Sequence, residues 1–336
     1  MVNEFRIPES SNTVSVSIIN STSKVTIEAD KIFANPHPNH PILEVPNFSF
    51  VIQHEAKNYT ILFDLGLRKD FLNAAPIVSN VLRSGESSLT VEKDVHHILK
   101  DGGLSPSTVN AAVWSHWHID HIGDPSLFHH DMKLIVGPGF RENFLPGYPA
   151  NEESMVLASD FENRELEELD FMTETATRVQ VGQFDAIDYF EDGSLYFLNA
   201  PGHTIGHIAA LARVQSAPDS FILMAADGCI HGGQLRPSPA HPLPAAARSS
   251  SLELGQEDVN ANHDQRPFYR AARNGVSHDA DLADKTIQFL QDADARDDVF
   301  VVFSHDKSLL DVVDFFRKRQ TTLFRKVGPR NADGNF

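Results

Sequence analysis

A single cysteine, Cys229, stands in 336 residues, so no intrachain disulfide can staple this chain. It reads as a small buried hydrophobe. Basic residues are scarce: 28 Lys and Arg face 46 Asp and Glu, for a net charge of −18. Such a field repels phosphate backbones and argues against a nucleic-acid partner. No stretch approaches ~20 uninterrupted apolar residues, so no membrane span is expected. The opening residues, Met1 to Arg6, lack a basic region followed by an apolar run, which predicts no signal peptide. No Gly-x-Ser-x-Gly elbow is present, so that type of serine nucleophile is not expected. Internal repeats and coiled-coil heptads are also missing. These absences predict a soluble cytoplasmic protein acting on a small molecule, with a homodimer permitted.

Histidine, by contrast, is plentiful, and it clusters. Ser115-His116-Trp117-His118-Ile119-Asp120-His121-Ile122-Gly123 holds three imidazoles and a carboxylate within six positions. It directly follows Ala111-Ala112-Val113-Trp114, which reads as a buried strand. Neutral imidazole suits zinc and similar ions, and a carboxylate adds a harder ligand. His116 and His118 are two apart, so in extended chain they point the same way.

Further apolar runs end in the same kind of residue. Residues 194 to 199 lead to His203, 221 to 226 lead to Asp227, and 299 to 303 lead to His305. Together these supply five histidines and two aspartates, an inventory for two adjacent ions. Other predicted strands are 48–52, 60–64, 133–137 and 207–214, with a hairpin turn at 56–58. Helices are expected at 91–99, ended by Gly102-Gly103, at 283–293, and at 308–317 as a closing element. Residues 71–83 have helical spacing that Pro76 is expected to break. Residues 1–24 read as an N-terminal arm or edge strand. Residues 25–325 read as one α/β domain with insertions at about 138–178 and 231–279, and 326–336 as a tail.

The ordered set at 116/118/120/121, 203, 227 and 305 resembles the metallo-β-lactamase superfamily. Phe63-Asp64-Leu65-Gly66 and Pro201-Gly202-His203-Thr204-Ile205-Gly206-His207 resemble two further segments of that family. Ser304-His305-Asp306 is similar to the late segment of its N-acyl homoserine lactone lactonase-like branch. The resemblance implies an αββα four-layer sandwich with two divalent ions, zinc being the expected metal. His116, His118 and His203 would hold the first ion. Asp120, His121 and His305 would hold the second, and Asp227 would bridge. Asp64 and His207 would support the ligands rather than bind metal. The best-known lactonases carry a tyrosine three positions after the bridging aspartate, where this chain has Ile230 followed by His231.

The chemistry expected is opening of a small cyclic ester or amide, as in a lactonase or lactamase. A hydroxide shared by the two ions would attack the carbonyl, with Asp120 or Asp227 moving the proton. Ile230, His231, Trp117, Phe140 and Tyr148 are the candidate substrate contacts. A thioesterase of the hydroxyacylglutathione hydrolase type is the alternative, although no clustered Lys/Arg pair lies near the ligands in sequence. A metal-binding protein without turnover is the non-enzyme alternative, and its signature, a missing ligand, is not found.

Overall fold

The computed structural model describes residues 5–85, 87–244 and 265–316. Two sheets account for most of the apolar runs. The first comprises β1 (Ser15–Glu28), β2 (Ile42–His54), β3 (Tyr59–Phe63), β4 (Ser87–Thr90), β5 (Ala111–Val113), β6 (Lys133–Val136) and β7 (Leu166–Glu168), in the order β4-β1-β2-β3-β5-β6-β7. The second comprises β8 (Arg178–Val181), β9 (Phe184–Asp188), β10 (Leu195–Asn199), β11 (Ile208–Gln215), β12 (Ser220–Ala226) and β13 (Val299–Phe303), in the order β13-β12-β11-β10-β9-β8. The helices are α1 (Pro76–Ser84), α2 (Val95–Gly102), α3 (Ile119–Ile122), α4 (Phe140–Phe144), α5 (Gly232–Leu235) and α6 (Ala280–Asp294).

Side chains alternate faces along a strand, and here both faces are apolar. Ile61, Phe63, Ala111 and Val113 point into a core shared with Phe197, Ala210, Ile222 and Met224 of the other sheet. Their neighbours Leu62, Ala112 and Leu134 point outward onto Val95 and Leu99 of α2. On the far side, Leu198, Leu211 and Leu223 meet Leu290 and Ala293 of α6. Helix, sheet, sheet, helix is the resulting αββα sandwich.

The strand directions place the ligands. β3, β5 and β6 run parallel, as do β12 and β13, with β10 antiparallel to the intervening β11. Each sheet therefore presents several strand C-termini at one edge. There the sheets are tied by backbone bonds, Ile208 N–H to Ser115 O at 2.9 Å and Phe48 N–H to Ser304 O at 2.9 Å.

Several expectations need correction. Residues 15–28 form a strand and not an arm: Ser15–Asn20 pair only with β2, while Lys24–Ile27 lie between β2 and β4, so the boundary at 24 falls inside a strand. Before it, Phe5 is buried against Phe184. The segment 138–178 contains β7, parallel to β6, so it is not wholly inserted. Its Glu167 and Glu168 hid the strand, but both carboxylates are satisfied, Glu167 by Lys133 Nζ at 2.8 Å and Glu168 by the Gly139 and Arg141 N–H groups at 2.8 and 2.7 Å. Pro76 starts α1 rather than breaking it, because the first helical residue has no use for an N–H. The helix expected at 91–99 runs instead over Val95–Gly102, since residues 87–90 pair with β1 first. The closing element is a short 3-10 turn at Lys307–Asp311. Its remainder at 317, the 326–336 tail, and residues 245–264 of the second insertion lie outside the described residues. No helix among the described residues is long and apolar enough to cross a membrane.

Candidate metal centre

Strand ends at the sheet edge bring the seven proposed ligands together in two groups. His116, His118, His203 and Asp227 form one; Asp120, His121 and His305 form the other, with the donor atoms of each group within 4.8 Å of one another. In the first group, His118 Nδ1 lies 3.0 Å from His116 Nε2 and 3.1 Å from His203 Nε2. Asp227 Oδ2 lies 3.4 Å from His203 Nε2 and 3.3 Å from His305 Nε2. Its other oxygen, Oδ1, is 3.4 Å from His121 Nε2. One carboxylate thus faces both groups. Asp120 Oδ2 lies 3.7 Å from His121 Nε2 and 3.6 Å from His305 Nε2.

These spacings fit metal ions. Ligands held at about 2.0–2.1 Å in a tetrahedron stand roughly 3.3 Å apart. His121 Nε2 and Asp227 Oδ1 are buried and make no hydrogen bond with the described residues. An orphaned buried donor atom is costly unless something else satisfies it. Three imidazoles with carboxylates suit zinc by ligand chemistry.

The second nitrogen of most of these rings is tied down, which aims the first. Asp64, at φ 62° just past β3, is the hub. Its Oδ1 accepts the Ser115 N–H at 2.7 Å, and its Oδ2 accepts the Ser115 hydroxyl at 2.8 Å and the His121 Nδ1–H at 2.8 Å. The Ser115 hydroxyl oxygen sits 3.0 Å from His116 Nδ1. His305 Nδ1–H donates to Pro46 O at 2.7 Å. His207 Nδ1–H donates to Ala200 O at 2.8 Å, and its Nε2 accepts the Asp227 N–H at 3.2 Å. His207 therefore sets the backbone of a ligand and is not itself in either group.

Glycines permit the close approach of the His203 loop. A Cβ on Gly137 would lie 1.8 Å from Gly206 O, and one on Gly202 (φ 120°) would lie 2.2 Å from Ala283 N. α6, capped by Asp279, starts against this loop, and Thr286 Oγ1 donates to Pro201 O at 2.6 Å.

The two groups differ electrically. Burial, then neighbouring imidazoles, holds His116 well below the usual histidine range. Burial likewise holds His118 at about 4 and His203 well below the usual value. For His121 burial acts in the same direction, but Asp227, Asp120 and Asp64 outweigh it and raise the imidazole well above its usual value. His305 is raised too, with Asp227 and Asp120 overcoming burial. Burial would raise Asp227, yet His305 and His121 hold it well below the carboxylate range. The centre is therefore a sink for positive charge.

Of the proposed substrate contacts, Trp117 sits closest to the ligands. Its ring is 4.6 Å from that of His118 and 5.4 Å from Phe144. It keeps an edge open to solvent, as do His118 and Asp120. Phe140 is a core residue packed on Trp114 and Phe161, which its apolar size already suggested. Tyr148 serves a local bridge with Leu157. Ile230 is buried with Phe33 and Ala29. His231 caps α5, its Nδ1 accepting the Gly233 N–H at 2.9 Å, and its ring lies edge-on to Phe33 and Tyr269. Neither Ile230 nor His231 joins the ligand groups. Sequence reading missed Asn47, whose Nδ2 donates to Asp120 Oδ2 at 3.3 Å, and Pro46, which supplies its carbonyl to His305. An Asn buried within an apolar strand was the available signal.

An αββα sandwich with a His/Asp cluster at its sheet edge defines a class of metal-site proteins. The chain belongs to the metallo-beta-lactamase superfamily, whose profile matches residues 43–212. It is similar to gamma-lactamase FDB1 of Fusarium pseudograminearum (strain CS3096), with 37% identity over 325 residues, 92% of this chain and 78% of that protein. It is also 37% identical over 314 residues to cytochrome P450 monooxygenase mpaDE of Penicillium roqueforti (strain FM164). That match covers 92% of this chain, which spans only 35% of the relative's length. A solved N-acyl homoserine lactone hydrolase shares the fold, with a TM-score of 0.59 at 15% identity over 92% of this chain and 98% of that one.

Proposed function

We propose that the protein is a two-ion metallohydrolase that opens small cyclic amides, with γ-lactams as the first substrate class and lactones second. The observation that carries the reading is the convergence of seven donor atoms into two groups that share Asp227. The 37% identity to a named gamma-lactamase favours the cyclic amide over other acyl compounds. Two divalent ions, zinc by preference, would supply Lewis acidity and a water acidic enough to react at neutral pH.

The chain's own residues do the rest. His116, His118 and His203 present neutral imidazoles to the first position, and His121, His305 and Asp120 present the more anionic second. Asp227 faces both groups and would hold both ions. Ring opening of an amide needs a proton on the departing nitrogen. Asp120 would take the proton released by the attacking water and pass it to that nitrogen, because its carboxylate lies at the open side of the centre while Asn47 Nδ2–H steadies one oxygen. Trp117, packed between His118 and Phe144, walls that opening.

The test is hydrolysis of γ-lactams, lactones and thioesters by metal-replete protein, alongside metal counting. Two zinc ions per chain and turnover of a γ-lactam, abolished by chelation and restored by zinc, are expected. Turnover confined to thioesters, or retained in a His118→Ala, Asp120→Ala double variant, would overturn the reading.

A further inference from the structure

The turn that carries Asp120 and His121 is matched residue by residue against the segment that follows β3. His121 Nδ1 bonds Asp64, and Leu65 N–H donates to His121 O at 2.8 Å. Gly123 N–H donates to Gly66 O at 2.9 Å, and a Cβ on Gly123 would lie 2.4 Å from Leu65 Cβ. The last rung is ionic: Arg68 Nη2 stands 3.5 Å from Asp124 Oδ2. Arg68 is 8% exposed, and it also grips Asp70, through Nε at 2.7 Å and Nη2 at 3.3 Å. On its third side Nη1 lies 3.9 Å from Asp160 Oδ1.

Asp160 is the unexplained member. It is 1% exposed, and neither carboxylate oxygen accepts a hydrogen bond from the described residues. Burial pushes its carboxyl up to about 7, with Asp124 adding to the rise while Arg68 and Arg164 oppose it. Arg164 does not bond Asp160; it donates to Met132 O at 3.0 Å and to Pro125 O at 2.8 Å, holding the residue after Asp124. A buried charge without hydrogen bonds contributes little to stability by itself.

We propose that Arg68 is a positioning residue for the Asp120–His121–His305 half of the centre, acting through Asp124 at the end of the turn that carries two of those ligands. The inference rests on the two-ion reading. Arg68 touches no proposed ligand. It fixes the C-terminal end of α3, so that His121 and Asp120 keep their places. Residues that contact a metal ligand commonly change affinity by about 10–100-fold, and Arg68 acts one contact further out, which puts its effect at the lower end, about tenfold. The first half of the centre takes His116 and His118 from before the turn, and His203 from the other sheet. It does not depend on this rung.

Zinc titration of the full chain against a competing chelator tests the proposal, with thermal unfolding of the metal-free protein as a second readout. Wild type is expected to bind two ions. Arg68→Met is expected to weaken the second ion by about tenfold or more and leave the first within about threefold. Arg68→Lys, with charge but no fork, should recover part of that loss. The double variant Arg68→Met, Asp160→Asn removes the stranded carboxylate. It should recover thermal stability but not second-ion affinity. Should Arg68→Met not fold, Asp124→Asn cuts the same rung with Arg68 still paired to Asp70, and the same selective loss is expected. Equal weakening of both ions, an unchanged second ion, or recovery of that ion in the double variant would overturn the proposal. Fewer than two ions in wild type would instead remove the two-ion reading beneath it.

Discussion

The two halves of the centre are built from the same residue types and behave differently. In the first, His116, His118 and His203 are held neutral by burial, so no proton has to leave before an ion binds. In the second, carboxylates surround His121 and His305 and raise their affinity for protons. The first half is pinned between sheets by β5 and β10. In the second, His305 follows β13, but Asp120 and His121 sit on the single helical turn α3, with outer support from Asp64, Asn47 and Arg68. The second half differs in taking two of its three candidate ligands from a braced turn.

The largest expected effect comes from erasing the contrast. Asp227→Ala removes the carboxylate facing both groups, so both ions should be lost and hydrolysis should fall by more than about ten-thousandfold, beyond the roughly 100- to 10,000-fold of a proton-transfer defect. Elemental analysis and turnover measure it, and a variant that keeps two ions would show that Asp227 does not join the halves.

Acid should separate the halves. Protons compete with the ion at His121 and His305, whose imidazoles are raised, but reach His118 only near pH 4. Lowering the pH from about 8 to about 6 should therefore weaken the second ion by up to about tenfold per unit while sparing the first. Parallel loss of both ions would break the comparison.

Asp64→Asn comes next. The amide can no longer serve both Ser115 and His121 as an acceptor, so second-ion affinity should drop by about 10–100-fold. A smaller loss at the first ion is expected through Ser115 and His116. Smallest is Asn47→Ala, which deletes one donor to Asp120 and should weaken the second ion by about tenfold at most. An effect on the first ion larger than on the second would contradict the assignment of Asp120.

Much of this was legible in the chain. His116 to His121 sit in one short motif, and His203, Asp227 and His305 each follow an apolar strand, so local pattern alone singled out all seven. The layers were less legible. Residues 1–24 read as an arm or edge strand because the alternation is interrupted by the polar run Asn20–Lys24, and β7 was hidden by its glutamates, which pair with Lys133 and with the backbone at the start of α4. Pro76 was given the role of a breaker because proline both interrupts and begins helices, and only position within the element distinguishes the two. Phe140 as a substrate contact came from its place in an irregular segment; packing on Trp114 puts it in the core.

The sequence by itself singled out the seven candidate ligands and the apolar strands that precede them, because residue type and strand periodicity are local properties. The tertiary structure decided how each ligand is held. Asp64, Asn47, Pro46 and Arg68 act on residues tens to hundreds of positions away, and no local pattern marks such a contact. The difference between the halves arises in the same way. Three carboxylates raise His121, and of these only Asp120 neighbours it in the chain; Asp64 and Asp227 come from other strands. Burial and field belong to the assembled sheets, and they turn one set of histidines into neutral ligands and the other into a proton-competing pair.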